Sequence, residues 1–229
     1  MKIIIAGGGF AGLKLARELN NKHGVEVLLV DKNNYHQFQT LLYQVATAGL
    51  DASNISFPLR KVFQKSKNVR FRMASILEIK PLEKIVTTDA GDFHYDVLVL
   101  ATGADTNFFG NTAIMQNTFP MKSTTEALQL RHKIIENFEE ALSVTTPEEL
   151  SKRLTIVIVG GGATGVEVSG ALAEMKKNVL PNDYPELDFS TMQIHLIEGS
   201  AKTLGAMSEK SSVQSRGYLE KLGVKVWTN

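Results

Sequence analysis

Cysteine is missing from all 229 residues. Without a thiol these residues can form no disulphide, thiolate metal site, iron–sulfur ligation or redox-active dithiol, and the absence fits a reducing, intracellular setting. Charge of one sign is also missing. The formal net charge is +1, so nothing draws the chain to a polyanion and no nucleic-acid partner is expected. No apolar run approaches the ~20 residues of a membrane-spanning helix. Behind Met1-Lys2, the run Ile3–Ala6 breaks at Gly7-Gly8-Gly9, short of the roughly 7–15 residues of a signal-peptide core. It reads as a buried strand. The chain is long enough to bury a substantial core as one large domain or two small ones.

A repeated unit organises the chain. Residues 2–6 read as a central parallel strand, and Leu13, Ala16 and Leu19 recur at helical spacing over Gly12–Leu19. His23-Gly24 stops that helix, and Val25–Val30 is a second apolar strand closed by Asp31. A loop-rich stretch from Asn33 to about Asp51 follows. Val69, Phe71 and Met73 alternate with Arg70 and Arg72, as in a half-exposed strand. A hairpin over Ile85–Thr88 and Phe93 onward leads into a buried strand, Val97–Leu100, and Gly103 to about Pro120 is the expected boundary between domains 1–110 and 111–229. Ser123-Thr124-Thr125-Glu126 has the form of a capping box. Leu130, Ile134, Phe138 and Leu142 then mark one helical face until Thr145-Thr146-Pro147 interrupts it. A buried strand over Leu154–Val159, a helix over 165–176, a loop at Asn182–Pro185 and a strand from Gln193 to Ile197 closed by Glu198 complete the second copy. The expected fold is α/β, with two Rossmann-like dinucleotide-binding units (the FAD/NAD(P)-binding fold).

Gly7-Gly8-Gly9-Phe10-Ala11-Gly12 and Gly160-Gly161-Gly162-Ala163-Thr164-Gly165 both fit G-x-G-x-x-G, and each stands between a strand and a helix. The first glycine permits the tight turn, the second lets backbone approach a pyrophosphate, and the third lets helix and strand pack closely. The helix start then offers unpaired amides to phosphates. Asp31 lies 19 residues after Gly12, and Glu198 lies 33 after Gly165. At such a strand end a carboxylate accepts from ribose hydroxyls. At Glu198 it would also repel a 2′-phosphate, favouring NADH over NADPH; the plain alternative is an exposed strand-end acid. Glu167 stands in the first turn of the second unit's expected helix. It is either a functional acid or a complement to the helix dipole. His36 is expected to be a structural hydrogen-bonding residue, and no metal-ligand cluster is apparent.

These loops, the segment Tyr95–Gly103 and the run Asn34-Tyr35-His36-Gln37-Phe38-Gln39 resemble the pyridine nucleotide–disulphide oxidoreductases. Within them the chain is similar to type II NADH dehydrogenases, single-subunit NADH:quinone oxidoreductases. The resemblance implies that Gly7–Gly12 (Gly7, Gly8, Gly9, Phe10, Ala11, Gly12), Asp31 and Lys32 hold the ADP half of FAD. It implies Thr40 and Leu41 near the isoalloxazine, Ala101, Thr102 and Gly103 beside the cofactor, and Ile76 near the adenine. Gly160, Gly162, Ala163, Thr164, Gly165 and Glu198 would hold NADH, and Glu167 would act at the nicotinamide and quinone. Hydride would pass from NADH to flavin and electrons on to a quinone, with the cofactor supplying the chemistry.

The chain looks truncated at its C-terminus. Only Val224–Trp227 remains to extend the second sheet, and the region that carries quinone and membrane-surface contacts in the family is not here. The full-length protein would be cytoplasmic, peripheral on the cytoplasmic face of the membrane, and a candidate homodimer. Two other readings stay open: an NADH-dependent flavoprotein reductase serving ferredoxin or another protein acceptor, and a non-catalytic NADH-binding sensor.

Overall fold

The apolar runs that end in glycine or an acid become the strands of two parallel sheets. In the computed structural model, which describes residues 1–229, the chain begins with β1 (Lys2–Ala6), α1 (Phe10–Glu18) and β2 (Glu26–Asp31). Next come β3 (Tyr35–Gln37), a 3-10 turn at Gln39–Leu41, α2 (Leu42–Ala46), β4 (Ser56–Pro58), α3 (Leu59–Val62) and β5 (Val69–Met73). Three antiparallel strands, β6 (Ile76–Lys80), β7 (Ile85–Thr88) and β8 (Gly91–His94), then lead into β9 (Val97–Leu100). The stretch expected to be mostly loop thus contains an antiparallel pair, β3 with β4, and a short helix.

The first sheet runs β5-β2-β1-β9, all parallel. Ile3, Ile5, Val27 and Leu29 pack on one face against Ala16 of α1 and Leu59 of α3. Ile4 and Val30 pack on the other against Val86 and Phe93 of the antiparallel strands. Layers on both faces explain why β1 is apolar without alternation. β9 departs from the expectation of a buried strand. It is the edge of the sheet, and Leu100 is 63% exposed.

The second half contains α4 (Thr112–Asn117), α5 (Thr124–Ala141), α6 (Pro147–Arg153), β10 (Thr155–Val159), α7 (Ala163–Asn178), α8 (Leu180–Asp183), β11 (Gln193–Glu198), α9 (Glu209–Lys221) and β12 (Lys225–Thr228). The Ser123–Glu126 capping box forms with both reciprocal hydrogen bonds. Thr145-Thr146-Pro147 does more than end a helix. Thr146 caps α6 and Pro147 opens it, the position where a missing N–H costs nothing. The expected loop at Asn182–Pro185 is partly the short helix α8.

The second sheet is parallel, in the order β10-β11-β12. Ile156, Ile158, Ile194, Leu196 and Val226 face a core that includes Leu172 of α7 and Leu219 of α9. The opposite face is bare: Val159 is 63% and Trp227 55% exposed. The expectation of a buried strand over 154–159 therefore holds for one face of β10 only.

Two compact units result, one of Met1–Gln39 with Ser53–Gly110 and one of Thr40–Ala52 with Asn111–Asn229. The excursion Thr40–Ala52 belongs to the second because α2 packs there, with Tyr43 against the second core.

On α5, Phe138 is 1% exposed, with its ring 5.6 Å from that of Phe189 in edge-to-face contact. Leu142, expected on the same stripe, is the C-cap and is 42% exposed. Phe138→Ala is expected to cost about 3–5 kcal/mol in urea denaturation, whereas Leu142→Ala stays within about 0.5 kcal/mol of wild type. Equal costs would contradict this packing.

Candidate dinucleotide-binding loops

Strand β1 delivers the chain into Gly7, whose φ of +107° is a left-handed conformation that disfavours any side chain. Its N–H donates to the Val30 carbonyl at 2.7 Å, continuing the ladder between β1 and β2. A Cβ on Gly12 would overlap the Gly7 carbonyl oxygen, so the third glycine is where α1 meets the strand end. Gly9 differs from both. It is the N-cap of α1, and a Cβ there would meet nothing within 4 Å. The protein itself does not require glycine at this position. The open space above the first amides of α1 suits an approaching phosphate.

The acid at the end of β2 ties the loop down. Asp31 Oδ2 accepts from the Gly8 N–H at 2.6 Å, and Oδ1 accepts from the Asn33 N–H at 2.7 Å. A Cβ on Gly8 would press against the Leu59 side chain and the Asp31 carboxylate. The Ala101–Thr102 backbone crowds Gly7 from the other side, and the Ala101 N–H donates to the Ala6 carbonyl at 2.7 Å. Ala11, Lys32, Thr102 and Gly103 are accessible or half-accessible around this corner. The structure thus brings together Gly7–Gly12, Asp31 and Ala101–Thr102. Ile76 instead packs with Ile4, Val30 and Val86 on the far side of the sheet. Thr40 and Leu41 belong to the second unit.

The second loop repeats the first almost atom for atom. Gly160 has φ +106°, and its N–H donates to the Ile197 carbonyl at 2.8 Å. A Cβ on Gly165 would overlap the Gly160 carbonyl oxygen, and one on Gly162 would meet open space. Ala163 and Thr164 are exposed on the first turn of α7. Glu198 Oε2 accepts from the Gly161 N–H at 2.6 Å, and Oε1 from the Ser200 N–H at 2.7 Å. The Gly161 amide first, and then Ser200, hold this carboxyl below the ordinary value of 4.5. One difference follows from topology. A Cβ on Gly160 would be unobstructed, because β10 has no neighbour of the kind β9 gives β1.

Glu167 lies in the second turn of α7, since the helix starts at Ala163 rather than 165. The expected first-turn position is therefore corrected, and the dipole explanation weakens with it, because that effect fades beyond the first turn. Partial burial pushes its carboxyl above 4.5, opposite to the pull of a helix N-terminus. Two groups that fasten the loops had no sequence signal: the backbone amides of Ser200 and of Leu204, the latter donating to the Gly161 carbonyl at 2.7 Å.

The family model described as pyridine nucleotide-disulphide oxidoreductase matches residues 1–229. The chain belongs to that family. This pyridine nucleotide-disulphide oxidoreductase is 33% identical over 229 residues to the type II NADH:quinone oxidoreductase Ndh of Mycobacterium tuberculosis, covering 98% of this chain and 49% of that protein. It is 32% identical over 254 residues to the type II NADH:quinone oxidoreductase of Haemophilus influenzae, covering 99% of this chain and 57% of the relative. Among solved structures, NDH2 from Plasmodium falciparum in complex with NADH superimposes with a TM-score of 0.91 at 25% identity, covering 100% of this chain and 48% of that one. The chain spans about half the length of the curated relatives it matches.

The glycines can be separated by experiment. Gly9→Ala is expected to leave the melting temperature unchanged, whereas Gly12→Ala should destabilise by about 1–3 kcal/mol through overpacking. Unfolding of both variants by urea would check this. Glu198 supplies a pH dependence. With its folded pKa below 4.5, its contribution is present above the unfolded value and is lost as pH falls through the folded one. Glu198→Gln should therefore be less stable than wild type at pH 7, and the gap should close as pH falls through the lowered folded value. A gap independent of pH would rule out the carboxylate as its cause.

Proposed function

We propose that the protein is an FAD-dependent oxidoreductase that takes a hydride from NADH and passes electrons to a quinone. The observation that carries this reading is the pair of congruent loops, each with an acid-clamped middle residue and an open second glycine. Two such corners suit two dinucleotides. The names of the relatives, type II NADH:quinone oxidoreductases, and the NADH in the Plasmodium structure support NADH and a quinone as the reactants; in this reading FAD sits at the unit of residues 1–110 and NADH at that of 111–229.

Bound FAD would supply the two-electron centre between nicotinamide and quinone. The chain's own residues bind and orient. The free amides at the start of α1 would meet the FAD pyrophosphate, with Lys32, Ala101, Thr102 and Gly103 around the cofactor. Asp31 keeps capacity for ribose hydroxyls, because each carboxylate oxygen accepts twice and only one backbone N–H occupies each. Glu198 stands in the same relation to the NADH ribose, and its lowered pKa keeps a negative charge facing any 2′-phosphate. Gly160, Gly162, Ala163, Thr164 and Gly165 would cradle the NADH phosphates. Quinone reduction consumes protons, and a carboxyl pushed upward by burial is suited to hold one, which is the role assigned to Glu167. No helix is long and apolar enough to cross a membrane. Peripheral attachment at the cytoplasmic face and a homodimer belong to the same reading.

Stopped-flow spectroscopy on the intact protein tests it. Wild type should carry FAD, be reduced by NADH and be reoxidised by a soluble quinone. Glu167→Gln should retain FAD and lower kcat for quinone reduction by roughly 10²–10⁴-fold, the range for a lost proton-transfer group. Wild-type rates in both half-reactions would remove Glu167 from the mechanism, and a wild type without FAD would overturn the reading.

A further inference from the structure

The two loops are fastened alike on the amide side of their middle residue and differently on its carbonyl side. In the second loop the Gly161 carbonyl accepts from the Leu204 backbone N–H at 2.7 Å. In the first, the Gly8 carbonyl meets His36 Nδ1 at 2.9 Å. A carbonyl only accepts, so Nδ1 must carry a hydrogen and donate it. His36 is 6% exposed. Its backbone is held in the β3–β4 ladder opposite Phe57, and its ring meets the edge of Phe10 at 5.2 Å and 80°. Phe10 is braced in turn by Phe38, at 5.0 Å and 89°. The imidazole is therefore fixed in both position and plane.

Fixing the Gly8 carbonyl has a consequence one atom further on. The Gly8 C=O and the Gly9 N–H share one planar trans peptide and point in opposite directions. A donor that holds the carbonyl inward turns the Gly9 N–H outward. That N–H makes no hydrogen bond within the chain, and the space beside Gly9 is open. We infer that His36 is a positioning residue for the first dinucleotide: its Nδ1–H locks the Gly8–Gly9 peptide so that the Gly9 amide faces the pyrophosphate. This rests on the assignment of FAD to the first loop. Because the second loop uses a backbone amide for the same task, a side-chain change at His36 unfastens one loop and leaves the other intact.

The test is calorimetric titration of the intact apoprotein with FAD and, separately, with NADH, alongside circular dichroism melts. His36→Phe keeps an aromatic ring between Phe10 and β4 but has no donor. His36→Asn carries an amide N–H within reach of the Nδ1 position, whereas His36→Gln carries it nearer Nε2. His36→Phe is expected to weaken FAD binding about tenfold, the loss of roughly one hydrogen bond, with NADH affinity unchanged. His36→Asn should restore FAD binding to within about threefold of wild type, and His36→Gln should not. Equal FAD affinity in wild type and His36→Phe overturns the inference, as does equal weakening in the Phe and Asn variants, which would make the role one of packing alone. Should His36→Phe fail to fold, the order of the Asn and Gln variants decides. A wild-type apoprotein that binds no FAD overturns the underlying assignment instead.

Discussion

The hydrogen bond from a loop amide to the acid at the end of the neighbouring strand is the contact on which each unit's glycine-rich corner depends. In a parallel sheet the first and second strands end at the same level, so Ala6 pairs with Val30 and the next residue of β2 is Asp31. Its carboxylate reaches the Gly8 N–H at 2.6 Å, and Glu198 reaches the Gly161 N–H at the same distance. Charge-assisted bonds of this kind are worth about 1.5–3 kcal/mol each. They also have a geometric effect. With its middle residue tethered to the sheet, the loop makes its turn in one way only, and in each unit the space beside the helix N-cap glycine is open.

Much of this was legible in residue type alone, because the constraints are local. Gly7 and Gly160 are needed for a positive φ, Gly12 and Gly165 for contact with a backbone oxygen, and Asp31 and Glu198 close strands whose apolar runs are unmistakable. The capping box at Ser123 was equally readable, since both partners lie within four residues. What escaped depends on tertiary arrangement. An apolar strand covered on one face has the same composition as one covered on both, so β9 and β10 were expected to be buried. Helix α9 buries only Ser212 and Leu219, too few to leave a periodic signal. The amides of Ser200 and Leu204 could not be found at all, because a backbone donor has no side-chain signature.

The units differ in what surrounds the shared motif. The first sheet has antiparallel strands over one face and β9 beside β1, and the Ala101–Thr102 backbone closes against Gly7. The second sheet has neither feature, and Gly160 stands clear. The family takes its name partly from disulphide chemistry, yet no cysteine is present in these residues. Membership here rests on a match that runs across residues 1–229.

Trp227 is the chain's single tryptophan, and it lies on the bare face of the second sheet. Its Nε1–H donates to His195 Nδ1 at 3.0 Å, and the two rings lie nearly parallel, with centroids 6.1 Å apart and 8° between their planes. Ultraviolet light that excites indole therefore interrogates β12 and its neighbour β11, and none of the first unit. An emission-detected melt follows one half of the molecule, while far-ultraviolet dichroism averages over both. Divergence between the two traces reports, without any label, whether the halves come apart together or one before the other.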